Sequence, residues 1–417
     1  MDICIYTLGC KVNQYESGVI VAKLQKAGFN AFEGLKKADL YIINTCAVTS
    51  EAEKKSRQSV AKMVKLNPDC KIFVIGCASQ NNAEQFKKYV NVKFIKGVAS
   101  KTDIIDLIEK EGVFVDELPL NYEKTDFAKI TKTRQTIKIQ EGCNNFCSYC
   151  LIPYLRGRSR SRSIDDIVTE VVECKDKVNE IVLTGIDISS YGKSFGSSLG
   201  ELIKILDEKV DVRLRIGSLE VNVINDEFLQ TVSGCKNFCP HFHLSLQSGS
   251  DGVLKKMNRH YTTEQYMQKV ELIRKYFPDA GITTDIIVGF PEESEQMFAE
   301  TCDFAKKVAF SDIHVFPYSV RKGTVAEKMK QVNDNDKKQR GEKLSEIKFQ
   351  LKKEFLSKYL NKEMQILTED IDGDYIAGYT ANYIKVYLDK KGIKENTLYT
   401  VKTIGLFNDG LFSEVIE

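Results

Sequence analysis

Residues 136–153 read TIKIQEGCNNFCSYCLIP. The β-branched alternation of TIKIQ predicts a strand, and that strand runs directly into Cys143, Cys147 and Cys150 at C-x3-C-x2-C spacing. Three thiols this close in a long chain that is not a small disulfide-rich domain point to a metal site. A structural zinc site normally closes with four protein ligands. The four histidines, His241, His243, His260 and His314, all lie far along the sequence, which makes zinc the weaker of two readings. The stronger is a 4Fe-4S cluster held by three thiolates, with one iron left without a protein ligand and open to chemistry.

Downstream, β-branched runs recur at EIVLTG, RLRIGSL, FHLSLQ, ITTDIIVGF and DIHVFPYS, each followed by a helical or turn segment. Counting TIKIQ, six strand-helix units make residues 135–333 a partial (β/α)6 barrel. Such repeats put their working loops at the C-terminal ends of the strands. The polar residues Asp187, Ser218, Glu220, Gln247 and Ser248, just past those runs, are the first candidates for contacts there. Upstream, residues 1–112 also alternate strands with amphipathic stretches and predict a doubly wound parallel sheet. Cys10 follows IYTLG, Cys46 follows LYIINT and Cys77 follows KIFVIG. Equivalent strand ends share one edge of a parallel sheet, so these three can converge. A lone cysteine is often just a buried small hydrophobe, but three at matched strand ends favour a second ligand set. Cys4 and Cys70, inside or before strands, stay with the background.

A charged connector, residues 113–134, separates these two regions. Residues 334–362 are Lys-rich, with Leu344, Ile347, Leu351, Phe355 and Tyr359 at helical spacing, and predict an amphipathic connecting helix. From 363 to 417 only short alternating segments remain between Gly, Asp and Asn turns, which predicts a small all-β barrel. The chain as a whole is thus an α/β multidomain protein. Its 60 Lys and Arg against 58 Asp and Glu give a net charge of +2 over 417 residues, no global pull toward nucleic acid. The start, MDICIYTLGC, has neither a basic leader nor an apolar run, and no window of membrane-spanning length appears. A soluble cytoplasmic chain, monomeric and without a membrane partner, is expected.

The motif EGCNNFCSYC resembles the signature of the radical S-adenosylmethionine superfamily. LGCKVNQYES, NTCAVTSEAEKKSRQ, VIGCASQ, EGCNNFCSYCLIPYLRGRSRSR, HFHLSLQSGSDGVLKKMNRHYT, TDIIVGFPEES and FPYSVRKGT together are similar to motifs of its methylthiotransferase family, and residues 364–417 to that family's TRAM domain. The match spans essentially the whole chain. The resemblance implies two 4Fe-4S clusters, a radical cluster on Cys143, Cys147 and Cys150 and an auxiliary one on Cys10, Cys46 and Cys77. It implies S-adenosylmethionine as cofactor, cleaved at the open iron to a 5′-deoxyadenosyl radical. One molecule methylates sulfur, and a second starts hydrogen abstraction from carbon 2 of an adenine.

LGCKVNQYES and HFHLSLQSGS look most like the branch acting on N6-threonylcarbamoyladenosine beside a tRNA anticodon, the difference resting on Lys11, Val12 and Asn13. Other branches act on isopentenyladenosine in tRNA or on a ribosomal-protein aspartate. A non-catalytic iron-sulfur RNA-binding or electron-transfer protein is the alternative of another class. By resemblance, Thr184, Gly185 and Asp187 meet the amino group of S-adenosylmethionine, and Ser218, Glu220 and Gln247 its carboxylate or ribose. Arg156, Arg158, Arg160 and Arg162 suit tRNA phosphates, or pair with Asp165, Asp166 or Glu170; the resemblance favours RNA. Residues 364–417 carry five Lys and nine acidic residues, so RNA contact there falls to aromatics such as Tyr375, Tyr379, Tyr383 and Phe407, each of which could equally be barrel core. An external electron donor of flavodoxin or ferredoxin type completes the expected partners.

Overall fold

The computed structural model describes residues 1–130 and 133–416; Thr131 and Lys132 of the connector and Glu417 of the tail lie outside the described residues. The first sheet contains β1 (Asp2–Thr7), β2 (Asn30–Glu33), β3 (Leu40–Thr45), β4 (Lys71–Gly76), β5 (Val92–Lys96) and β6 (Gly112–Phe114). All are parallel, in the order β2-β1-β3-β4-β5-β6. Strand side chains alternate between two cores. Ile3, Ile5, Ile42 and Phe73 pack under Ile20 and Leu24 of α1 (Lys11–Lys26), and Cys4, Tyr41, Ile43 and Val74 pack under Val60 and Met63 of α2 (Ser50–Leu66). Helices on both faces explain why these strands are nearly continuous apolar runs. Cys4 and Cys70 belong to the second core.

β6 falls at the junction with the expected connector; three half-exposed residues on a sheet edge are too few for a periodicity to show. The connector lies along α1, where the Lys129 amide donates to the Gly18 carbonyl at 3.1 Å.

Next come β7 (Arg134–Lys138), the short pair β8 (Gln140–Glu141) and β9 (Arg160–Ser161), then β10 (Glu180–Thr184), β11 (Arg213–Ile216), β12 (His241–His243), β13 (Gly281–Val288) and β14 (Asp312–Pro317). β7, β10 and β11 form one parallel sheet, and β12, β13 and β14 another. Parallel bridges Leu214–Phe238 and Leu219–Leu244 join the halves into a six-stranded partial barrel, as expected. The Asp334–Ser357 helix ends short of Lys362 and leads into β15 (Glu363–Asp372), β16 (Tyr375–Thr380), β17 (Lys385–Asp389), β18 (Leu398–Phe407) and β19 (Gly410–Val415). These close into a five-stranded, TRAM-like barrel around Ile366, Ile376, Val386, Val401 and Leu411.

The small barrel docks against the N-terminal ends of the large barrel's strands. Arg213 donates to the carbonyls of Tyr379 and Gln365, both at 3.0 Å, and Arg215 to those of Ala381 at 3.0 Å and Thr380 at 3.2 Å. Arg215 also grips Glu180, a buried carboxylate, through Nε at 2.7 Å and Nη2 at 2.9 Å, and Arg134 pairs with the same carboxylate at 2.6 Å. Among the described residues, no helix is long and apolar enough to cross a membrane.

Candidate active site

Strand order 2-1-3-4 reverses direction between β1 and β3, and in open α/β sheets ligands bind outside the carboxyl ends of the strands at such a switch point. Cys10 and Cys46 follow those two strands, and Cys77 follows β4. Two glycines let the three loops crowd together. Gly9 has φ +97°, and a Cβ there would lie 2.7 Å from the Cys46 Sγ; Gly76, at φ +104°, sits equally tightly against Asn44 and Thr45. Burial pushes the Cys46 thiol up to about 11, with Cys77 and Cys10 close enough to push it further. Cys46 and Cys77 are buried, whereas Cys10 opens into a cavity.

Behind the trio lies a buried ionic network. Arg156 donates from Nε to Cys77 Sγ at 3.2 Å, from Nη1 to Glu16 and Glu141, and from Nη2 to Asn13. Lys138 holds Glu16 at 2.8 Å and also pairs with Glu141, while Lys101 holds Glu16 at 2.6 Å. Burial alone would push Glu16 up, but Arg156, Lys101 and Lys138 outweigh it and hold the carboxyl well below the usual range. Three cations face two carboxylates, so the network carries an unmatched positive charge against Cys77. Thiolates of an anionic cluster would balance that charge, and the donor set fits such a group.

In the second trio each sulfur accepts a hydrogen bond: Cys143 from the Asn145 amide at 3.4 Å, Cys147 from Arg259 Nη1 at 3.3 Å and Cys150 from the Ile152 amide at 3.4 Å. Burial pushes the Cys143 and Cys150 thiols up to about 12, so metal cations, rather than the protein alone, would hold them as thiolates. The five-residue Ile152–Arg156 helix follows Cys150 immediately, and its last residue is the arginine on Cys77. The two trios are thus neighbours.

Two cavities border this region. One, about 330 Å3, is lined by Asn145, Asp187, Glu220 and Arg259. The other, about 780 Å3, runs from Cys10 and Lys11 past the strand ends Thr184, Gly185 and Ser218 to Tyr379 and Tyr383 of the small barrel. The six residues expected around S-adenosylmethionine therefore divide. Asp187 and Glu220 line the smaller cavity, Thr184, Gly185 and Ser218 the larger, and Gln247 neither; its backbone, at φ +69°, is bound to β13. Glu220 is held by Arg259 Nη2 at 2.6 Å, while Asp187 keeps a buried oxygen without a partner.

Three of the four arginines expected on RNA phosphates are spent inside the protein. Arg156 serves Cys77 and its two carboxylates, Arg160 donates to the carbonyls of Arg156 and Arg158, and Arg162 pairs with Glu170. Arg156 ends the short helix and Arg160 lies on β9, so the burial follows from the fold around each one, and an arginine run reads the same in sequence whether it meets phosphates or internal partners. Arg158 is exposed and lies over the Phe146 ring at 4.4 Å. Tyr383 does not face outward either: it stacks on His241 at 4.5 Å and Tyr379 at 4.8 Å, with Arg215 over its ring. Arg259, Glu16, Glu141 and Lys138 had no sequence signal, because each reaches its partner only through the tertiary approach of distant segments. The alternate positions of His241 and His243 did carry one, since period two on a strand aims both to one side. His243, Asp285 and His314 bring ligand atoms within 4.8 Å of one another on the wall of the larger cavity, an arrangement that could hold a cation.

Residues 137–305 match the Radical SAM superfamily and residues 2–97 match Uncharacterized protein family UPF0004. Threonylcarbamoyladenosine tRNA methylthiotransferase MtaB of Bacillus subtilis is 36% identical over 100% of this chain and 97% of its own length. The chain belongs to the radical S-adenosylmethionine methylthiotransferase family. The protein of the same name from Thermotoga maritima is 38% identical over 98% of this chain and 96% of its own. The tRNA-2-methylthio-N(6)-dimethylallyladenosine synthase of Acetivibrio thermocellus is 35% identical over 88% and 80%. Among solved structures, the radical S-adenosylmethionine methyltransferase TsrM of Kitasatospora setae superposes with a TM-score of 0.57 at 13% identity, covering 78% of this chain and 77% of that one, a likeness of fold alone. As a member of the radical S-adenosylmethionine methylthiotransferase family the chain carries a 4Fe-4S cluster and uses S-adenosylmethionine.

Proposed function

We propose that this methylthiotransferase converts N6-threonylcarbamoyladenosine beside the anticodon of tRNA to its 2-methylthio derivative. The observation that carries the reading is the placement of Cys10, the open member of a three-thiol site, in the same 780 Å3 cavity as the barrel strand ends Thr184, Gly185 and Ser218. A sulfur site and a radical site must share a space for sulfur to be inserted into a C–H bond, and a cavity of this size accommodates a modified nucleoside.

In this reading Cys143, Cys147 and Cys150 hold the radical cluster, and Cys10, Cys46 and Cys77 hold a second, auxiliary 4Fe-4S cluster. When bound, these groups supply the electron that cleaves S-adenosylmethionine and the site at which sulfur is methylated. The chain's own residues position and shield. Arg259 donates to Cys147 and fixes Glu220 at the mouth of the smaller cavity. The unpartnered Asp187 oxygen is an acceptor suited to an ammonium group such as the one S-adenosylmethionine carries. Arg156 balances the auxiliary thiolates from behind. Arg158, exposed beside the cluster loop on Phe146, is the remaining arginine for a tRNA phosphate, and an external flavodoxin- or ferredoxin-type protein supplies electrons.

Mass spectrometry of tRNA nucleosides from a strain lacking this chain tests the reading. The 2-methylthio derivative of threonylcarbamoyladenosine should disappear and its unmethylthiolated parent accumulate. Disappearance of methylthiolated isopentenyladenosine instead would assign the enzyme to the other tRNA branch.

A further inference from the structure

Among the described residues that line the 780 Å3 cavity, every Lys, Arg and Asp side chain but one has a hydrogen-bond or ion-pair partner. Arg215 is committed to Glu180 and two carbonyls, Lys352 holds Asp312 at 2.9 Å, Lys385 holds Asp409 at 3.1 Å, and Asp285 faces His243 Nε2 at 3.3 Å. Lys11 makes no hydrogen bond and no ion pair. The acids whose charge reaches it, Glu180 and Glu369, are already held by Arg215 and by Arg134, and those two cations repel it.

Its place in the helix adds to the oddity. Lys11 is the first residue of α1, whose first turn contains no acid. The N-terminus of a helix carries partial positive charge and favours anions, so a lysine there works against the helix. Neither folding nor packing gains from a bare ammonium at that point, one residue past Cys10. An anion arriving in the cavity would gain from both the ammonium and the helix end. The cavity also offers a ring surface to a flat base at Phe316, which is 47% exposed.

We infer that Lys11 is the specificity-determining residue of the cavity, receiving the carboxylate of the threonylcarbamoyl substituent on adenosine N6. This rests on the reading given under Proposed function. A hydrocarbon substituent would cover Lys11 without satisfying it, and the desolvated ammonium would then count against that substrate.

The test measures binding of the full-length protein, with its clusters reconstituted, to anticodon stem-loop RNAs. One carries threonylcarbamoyladenosine, one its neutral carboxamide isostere and one isopentenyladenosine. The wild type should prefer the carboxylate over the carboxamide by roughly tenfold or more, the size of a charge-assisted hydrogen bond. In Lys11→Gln that ratio should fall to about one, and in Lys11→Arg it should largely return. Because the ratio is taken within one variant, partial loss of folded protein does not alter it. A wild-type ratio retained in Lys11→Gln overturns the inference, as does equal weakening for all three RNAs, which would mark a phosphate contact. If the wild type binds carboxylate and carboxamide alike yet methylthiolates the threonylcarbamoyl RNA, only the inference falls. If it does not turn that RNA over at all, the substrate reading falls with it.

Discussion

Replacing Arg156 by Met would remove the donors that Glu16, Glu141, Asn13 and Cys77 share, all of them buried. Breaking one member of a buried ionic network costs about 3 kcal/mol or more, because its partners are left in a medium of low dielectric. Urea unfolding should register that loss, and iron per chain after reconstitution should fall from about eight to about four, the content of one cubane. Gly9→Ala should give the same drop in iron by another route, since the new Cβ would sit 2.7 Å from Cys46 Sγ at a φ that side chains rarely adopt. Cys147→Ala should instead abolish 5′-deoxyadenosine release under anaerobic reducing conditions; release at the wild-type rate would remove Cys147 from the radical site.

At the scale of elements, the small barrel is held to the large one by Arg134 of β7 and by Arg213 and Arg215 of β11, and Arg215 also lines the cavity. Burial would push Glu180 up, but Arg215 and Arg134 outweigh it and lower it below the ordinary carboxylate range. A carboxyl lowered by folding stabilises the fold above its unfolded value of about 4.3 and loses that contribution as pH falls through its folded value. Hydrogen exchange along β15 and β16 should therefore stay slow from neutral pH to about 5 and accelerate below about 4. Arg215→Met should give fast exchange in those strands at neutral pH, with β3 and β4 unaffected.

In the proposed function the whole molecule would meet its tRNA with a net charge of only +2, and three of the four clustered arginines are internal. Few counterions would be released on binding. The logarithm of tRNA affinity should fall with the logarithm of salt with a slope of about −2 to −4, shallow beside proteins that neutralise eight or ten phosphates. A steep slope would reveal a phosphate-binding surface other than the one around Arg158. Recognition then depends on shape, on stacking and on the pocket that takes the modified base.

Periodicity and cysteine spacing were enough to show the three-part architecture, because strand alternation, helical spacing and a C-x3-C-x2-C run are local patterns that local forces create. They also isolated Cys10, Cys46 and Cys77 from Cys4 and Cys70, since the ends of parallel strands necessarily share an edge. The fate of the arginine run was not legible: Arg156 and Arg158 differ only in which way the chain turns after Cys150, and a guanidinium in a core has the same letter as one on the surface. Nor could the letters show that Lys11 stands alone, because a charge is matched or unmatched only when distant segments, here β10, β11 and the small barrel, have come together around it.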